Sequence, residues 1–224
     1  MKTSRNLYVQ YGCQWCAPTE WLNFDASPTL KLERLPVVGR FVRKNDRMFP
    51  YNVEPGDIVR GLGLPDGCAK GVYASHVLEH LTLQDAHIAL KNTFRMMAPD
   101  GIFRLVVPDL QWRAREYLQM AADGDVNAAA KFMRKTRLGR ETNEHSLIEK
   151  LSRLFGKRAR HWMWDELAMR EALLNTGFDR IRRCKIGGSE DHMFDLVEDA
   201  GRFFDGEFAE VAYEARKPPR SLSG

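Results

Sequence analysis

The chain lacks any apolar run approaching the roughly 18 residues that a membrane-spanning helix requires, so no spanning segment is expected. It has four cysteines, Cys13, Cys16, Cys68 and Cys184, too few for a disulfide framework in 224 residues and read as reduced thiols. It also lacks a charge excess. Its 34 Lys and Arg against 30 Asp and Glu leave a net +4, far from the footprint of a dedicated nucleic-acid binder. There is no internal repeat and no low-complexity tract, and the start at Met1-Lys2-Thr3-Ser4-Arg5-Asn6 leads into no signal-peptide core, so a cytoplasmic location is expected. What remains is 44% hydrophobic and 29% charged residues, a composition suited to one globular domain that buries a proper core.

The informative stretch runs from Gly71 to Leu110. Val72 and Tyr73 form a short β-prone run that stops at the small polar Ser75. From Ala86 to Met97 the apolar residues Ile88, Ala89, Phe94 and Met97 recur at helical spacing. Pro99-Asp100-Gly101 is turn chemistry. Ile102 to Val107 is then unbroken apolar sequence except for Arg104, as a strand covered on both faces requires. The unit is βαβ, and the parent sheet is therefore expected to be parallel.

These residues resemble the middle of class I S-adenosylmethionine (SAM)-dependent methyltransferases. In one subgroup, met alongside bacterial polysaccharide biosynthesis, a strand ending in Ser-His-x-Leu-Glu-His-Leu precedes a helix, a Pro-Gly-Gly turn and a Leu-Val-Val-Pro-Asp strand. Here Ser75 to Leu81 and Leu105 to Asp109 match, with Asp100 in place of the usual turn glycine. Tyr8 to Gln14 is similar to the family's first strand and glycine loop, and Trp21 to Pro28 to its second strand. Trp164-Asp165-Glu166-Leu167, Gly177-Phe178 and Glu214 to Pro218 are similar to its closing pattern. The resemblance implies a Rossmann-like α/β domain over residues 1–217, with a seven-stranded, mostly parallel sheet and helices on both faces. A helical lid insertion over 111–163 and a loose tail over 218–224 complete the expected organisation.

The same resemblance implies the site. The loop Gly12-Cys13-Gln14 would cradle the methionine part of SAM. Asp25, with Ala26 beside it, would accept bonds from the ribose hydroxyls, and a carboxylate suits a diol. Asp57 would meet the adenine amine with Ile58 beside the ring. Ser75 and His76 end the fourth strand, where the methyl group meets the substrate. His76 is the candidate general base for a hydroxyl acceptor, with a cofactor-positioning role as the competing reading. Asp109 is the next candidate for substrate contact. The family's Gly-x-Gly has become Gly12-Cys13-Gln14, and a glutamine there suits a cofactor if its φ stays negative and its side chain points outward. The implied activity is methyl transfer from SAM to a small-molecule or glycan hydroxyl, with no metal. A SAM-binding module without catalysis and an RNA methyltransferase remain alternatives.

Other patterns compete for these residues. Cys13-Gln14-Trp15-Cys16 has thiol-oxidoreductase spacing, but little helix follows to depress a thiol pKa, so small buried residues in a tight loop are the favoured reading. His76-x-x-Glu79-His80 matches an inverted zinc-protease signature, yet His76 sits at a strand end rather than on a helix. A divalent ion on Glu79 and His80, as in some related methyltransferases, competes with simple packing under the cofactor. Between Gln111 and Arg160 the bases outnumber the acids, which reads as a solvated helix face or as a basic lid for an anionic substrate. The apolar connection Leu35 to Phe41 is expected to pack across the sheet edge or ligand mouth. Asp165 is the expected N-cap of a helix ending at Gly177. Ile181 and Phe208 to Ala215 are expected to form a closing antiparallel hairpin at the sheet edge.

Overall fold

The computed structural model describes residues 6–35, 48–139, 160–205 and 208–219. At its centre lie β4 (Ala69–Ser75) and β5 (Met97–Val107), parallel and joined through α2 (Leu83–Met96). Helix α2 starts where Thr82 caps it, accepting from the Asp85 amide at 3.1 Å, and buries Ala86, Ala89, Leu90 and Thr93 on one stripe. The Pro99-Asp100-Gly101 turn is absorbed into the start of β5. The pairing with β4 slips there between Ala69 and Gly71, and Asp100 takes a left-handed φ of +61°.

Around this pair the sheet adds β1 (Leu7–Tyr11), β2 (Leu22–Asp25) and β3 (Val53–Pro55) on one side, with α1 (Pro28–Glu33) between β2 and β3. On the other side lie β9 (Val211–Arg216) and the edge strand β6 (Asp179–Arg183). The seven-stranded order is β3-β2-β1-β4-β5-β9-β6, parallel except for β9, which runs antiparallel to both of its neighbours. The strand order reverses between β1 and β4, the point at which open α/β sheets bind ligands.

The expected closing hairpin is corrected in its connection. Strands β6 and β9 do pair antiparallel, but a long excursion separates them. It contains a 3₁₀ turn (His192–Leu196), α6 (Ala200–Phe203) and the small β7 (Phe204–Asp205) and β8 (Phe208–Ala209) pair. Helix α5 (Glu166–Thr176) does open at Asp165, whose carboxylate accepts from Ala168 N at 2.8 Å, and closes at Gly177 with φ +107°. Helices α3 (Leu110–Ala122) and α4 (Ala128–Thr136) form a helical pair within the expected lid. Arg140 and the bases from Lys150 to Arg158, like the connection at Val37 to Phe41, lie outside the described residues.

The main core packs Val9, Tyr11, Val72, Ala74, Phe103, Leu105 and Tyr213 from one sheet face with Leu90 of α2 and Met169 and Leu173 of α5. The other face carries Tyr8, Trp21, Tyr73 and Ile102 under Phe194 and Val197. No helix lies between β1 and β2, because residues 12–21 are too few for a crossover. Among the described residues no helix is long and apolar enough to cross a membrane.

Candidate functional site

The carboxyl ends of β1, β2 and β4 bring together Tyr11, Asp25 and Ser75. Gly12 turns the chain immediately after β1 with φ +70°, and a Cβ there would lie 2.3 Å from Val77 Cγ2, so no side chain fits. Both Gly12 N and Cys13 N donate to Phe24 O, at 2.8 and 3.2 Å, clamping the loop onto β2. Gln14 N donates to Asp25 Oδ2 at 3.0 Å and Ser27 N to Asp25 Oδ1 at 2.7 Å. Asp25 is therefore turned toward the loop, 6% exposed, with each oxygen already accepting one amide.

The negative φ expected of Gln14 is corrected. Its φ is +51°, because aiming its amide at Asp25 after the Gly12 turn requires a left-handed residue. For a side-chain-bearing residue this costs about 1–2 kcal/mol. The side chain does point outward, and its Oε1 accepts from Arg202 Nη2 at 2.9 Å.

Cys13 directs its side chain into a small cluster with Leu30 and Val53, leaving only its backbone to the loop. Burial first, and the nearby Asp25 charge second, push its thiol far above the ordinary range; burial likewise raises Cys16. Neither thiol is a ready thiolate, which removes the oxidoreductase reading. Ala26 follows Asp25 and is half-buried. Asp57 sits beyond β3, accepts from Val59 N at 3.0 Å and is partly exposed, while Ile58 belongs to the main core.

At the tip of β4 the Ser75 and Tyr73 hydroxyls are buried side by side, with no partner outside the pair. His76 follows with φ +54°, its amide bonded to Val106 O at 2.9 Å. Its Nδ1 lies 3.1 Å from Glu79 Oε1 and its Nε2 2.9 Å from Arg202 O. Glu79 is fully buried in a 3₁₀ turn (Leu78–His80), with Oε2 unpartnered and His80 Nε2 3.9 Å from Oε1. Burial alone would lower the His76 pKa, but the hydrogen bond and charge of Glu79 outweigh it and hold the ring above its ordinary value. Burial would raise Glu79, and His76 holds it below the ordinary carboxylate range. The Arg202 carbonyl can only accept, so Nε2 carries a proton and offers no lone pair, and Glu79 favours a second proton on Nδ1.

Asp109 is the N-cap of α3, its Oδ1 accepting from Gln111 N at 2.8 Å and Trp112 N at 3.2 Å. Beside it Arg113 and Glu210 pair in full burial at 3.0 Å. No group of three or more His, Cys, Asp or Glu side chains able to hold a metal occurs among the described residues. A depression of about 550 Å³ lined by Lys70, Ile102, Asp191 and Arg216 lies at the opposite, amino-terminal ends of the strands. Its charges pair with one another, Lys70 with Asp191 at 2.9 Å and Arg216 with Glu190 at 3.1 Å.

Arg202 is the residue that sequence reasoning missed. It reaches Gln14 across 188 positions of chain, and nothing in its local sequence announces that contact. The Glu79–His76 pair was visible as an acid three residues after a histidine, but its burial was not.

Residues 9–105 match a family described as a methyltransferase domain. No curated protein sequence matches the chain. Among solved structures, a SAM-dependent methyltransferase from Methanosarcina mazei superposes with a TM-score of 0.51 at 12% identity, over 95% of this chain and 92% of that one. A SAM-dependent methyltransferase from Archaeoglobus fulgidus gives 0.47 at 15% identity, covering 95% and 86% of the two chains. A possible histamine N-methyltransferase from Thermotoga maritima gives 0.48 at 16% identity, covering 94% and 82%. Residues 9–105 thus match the methyltransferase-domain family, and the fold over the described residues is similar to that of the Methanosarcina mazei SAM-dependent methyltransferase.

Proposed function

We propose that this protein binds SAM at the tips of β1, β2 and β4 and transfers its methyl group to a hydroxyl of a small-molecule or glycan acceptor. One observation carries the reading. The Gly12 turn, the Asp25 carboxylate and the buried Ser75 hydroxyl converge at the carboxyl ends of adjacent strands, beside the switch in strand order. The residues fit the cofactor. Beyond its two amides, the Asp25 carboxylate keeps acceptor capacity for a ribose diol. Ser75 O and Gln14 Oε1 are neutral acceptors suited to an ammonium group, and a guanidinium holds both of them here. Asp57 has exposure enough to accept from an adenine amine.

When bound, SAM supplies a sulfonium-activated methyl group that an oxygen nucleophile displaces in line, leaving a neutral thioether. The chain's own residues bind and orient. Asp25 fixes the sugar, the Gly12–Gln14 backbone shapes the amino-acid end, and Ser75 marks the methyl-facing tip of β4. His76 can take the acceptor's proton at Nε2 only after that nitrogen leaves Arg202 O and gives up its own proton. The preference for a glycan hydroxyl is supported by the resemblance to a subgroup that accompanies polysaccharide biosynthesis.

Calorimetric titration with SAM and with its demethylated product S-adenosylhomocysteine (SAH) tests the reading. Wild type should bind both, and Asp25→Ala should bind neither measurably. Silence from wild type toward both ligands rejects the proposal. Binding without turnover over a panel of sugar and glycan acceptors would instead favour the second reading, a cofactor-binding module, which the occupied His76 ring nitrogens support.

A further inference from the structure

The excursion between β6 and β9 ends in a segment that crosses the strand tips. It is fixed at both ends by apolar side chains. Val197 is buried against the second sheet face, and Phe203 is buried with Val106 and Ala212. Between Val197 and Phe203 the chain forms α6, a single turn that ends on the second anchor and is capped by Asp199, whose Oδ1 accepts from Gly201 N at 2.8 Å. A four-residue helix has no stability of its own, so its position is set by what it touches.

What it touches is the site. Arg202 Nη2 donates to Gln14 Oε1 at 2.9 Å, and Nη1 donates to Ser75 O at 3.3 Å. Arg202 O accepts from His76 Nε2 at 2.9 Å. One residue thus bonds the loop after β1, the last residue of β4 and the ring next to it. Its guanidinium holds the two acceptors that an ammonium-bearing ligand would need. Arg202 itself is only half-buried, and Gly201 beside it is exposed, so the turn can leave without dismantling a core.

We propose that Asp199–Arg202 is a latch over the tips of β1 and β4, hinged on the buried Phe203 with Arg202 as its bolt, and that a ligand enters only when the latch lifts. The proposal rests on the cofactor reading above, since it names the gate of that same site. Lifting breaks the three Arg202 contacts and exchanges two protein hydrogen bonds of the guanidinium for ligand or solvent ones. The closed form lowers apparent affinity by the fraction of molecules that are open. Hydrogen bonds of this kind shift such an equilibrium roughly tenfold for the pair. The gate also controls the base. His76 cannot offer Nε2 while Arg202 O accepts from it, so the contact that blocks the ligand also silences the ring.

Amide hydrogen exchange of the whole chain, read on peptides spanning residues 199–205, tests this beside calorimetry with SAH. Arg202→Ala should exchange about tenfold faster there without ligand and bind SAH about tenfold more tightly. Gln14→Gly removes the opposing acceptor without touching the latch and should speed exchange over 199–203 as Arg202→Ala does. SAH should speed exchange over 199–203 in wild type. Unchanged exchange in both variants, with SAH binding intact, overturns the latch and leaves the cofactor reading standing. Weaker SAH binding by Arg202→Ala also overturns it, because the guanidinium would then belong to the bound complex. If neither wild type nor Arg202→Ala binds SAH, the cofactor reading falls and the gate falls with it, whatever the exchange shows.

Discussion

The two faces of the sheet are covered by different means. On one, α2 and α5 lay apolar stripes over Val9, Val72, Phe103 and Tyr213, and nearly every side chain in the layer is aliphatic or aromatic. On the other, the crossover between β1 and β2 holds no helix, and the irregular segment from Lys185 to Phe203 does the covering. Phe194 packs edge-on to Trp21 at 5.4 Å, and Trp21 Nε1 donates to Met193 O at 3.1 Å. Under this segment Arg104 is buried to 1% exposure, bonded to Glu198 at 2.6 Å, Glu214 at 2.7 Å and Lys185 O at 2.9 Å. Helices satisfy their own backbone, so a helical cover needs only apolar contact. An irregular cover must be pinned by side chains, and here the pin is ionic. The proposed latch is the last turn of that second cover, which is why the gate proposed for the site belongs to this face.

The comparison breaks hardest at Arg104. Arg104→Ala leaves Glu198 without a cation in the interior and Glu214 with only the partly exposed Arg182 at 2.7 Å, and should cost about 3–5 kcal/mol, measured by denaturant unfolding. Amide exchange should at the same time rise across 185–199. Leu90→Ala on the helical face should cost about 2–5 kcal/mol by leaving a cavity. It should not release 185–199 selectively. Equal local exchange in the two variants would show that both faces are pinned alike.

Next in size is the cofactor end. Asp25→Ala should abolish the rise in melting temperature that SAH gives wild type, and a preserved rise would move the sugar contact elsewhere. The pH dependence should also be specific to the irregular face. The His76 pKa is raised, so its contribution is complete below the ring's unfolded value and is lost as pH rises through the folded value. The Glu79 pKa is lowered, so its contribution is complete above the ordinary carboxylate range and is lost as pH falls through the folded value. The stability gap between wild type and His76→Gln should therefore be widest in mildly acidic solution and close as pH rises above the raised histidine value. A gap that stays constant up to about pH 9, well beyond any ordinary histidine titration, would show that His76 is not held as a cation.

How much of this was legible obeys the same division. Periodic signals gave the helical face in advance: the spacing of Ala89, Phe94 and Met97, the cap at Asp165 and the stop at Gly177 all describe elements that obey local rules. The β4–β5 unit was equally open, because an apolar strand after turn residues has few other meanings. The irregular face was closed to such reading. Lys185 to Phe203 has no period, and its contacts reach back 172 positions to Trp21 and 188 to Gln14. One residue did carry a hint: a charged Arg104 inside Ile102 to Val107 demands buried acids, and Glu198 and Glu214 are those acids. At the site, residue types could nominate Asp25, Ser75 and His76, but not the left-handed Gln14 or the Arg202 contacts. Those depend on where a distant segment comes to rest.

The smallest expected effect compares one cap on each face. Asp165 caps the 11-residue α5 through Ala168 N, and Asp199 caps the four-residue α6 through Gly201 N. Both acceptors sit at 2.8 Å, so the local chemistry is matched. Helix α5 buries Met169 and Leu173 in the main core and unfolds only with the whole domain, so Asp165→Ala should lower global stability by about 1 kcal/mol. Helix α6 can open without the rest, and the loss of its cap should be absorbed by the local equilibrium. Asp199→Ala should therefore leave the unfolding midpoint nearly unchanged while exchange over 199–203 accelerates several-fold. If Asp199→Ala instead shifts the midpoint as far as Asp165→Ala does, the turn over the strand tips unfolds with the domain, and the two covers differ in sequence but not in cooperativity.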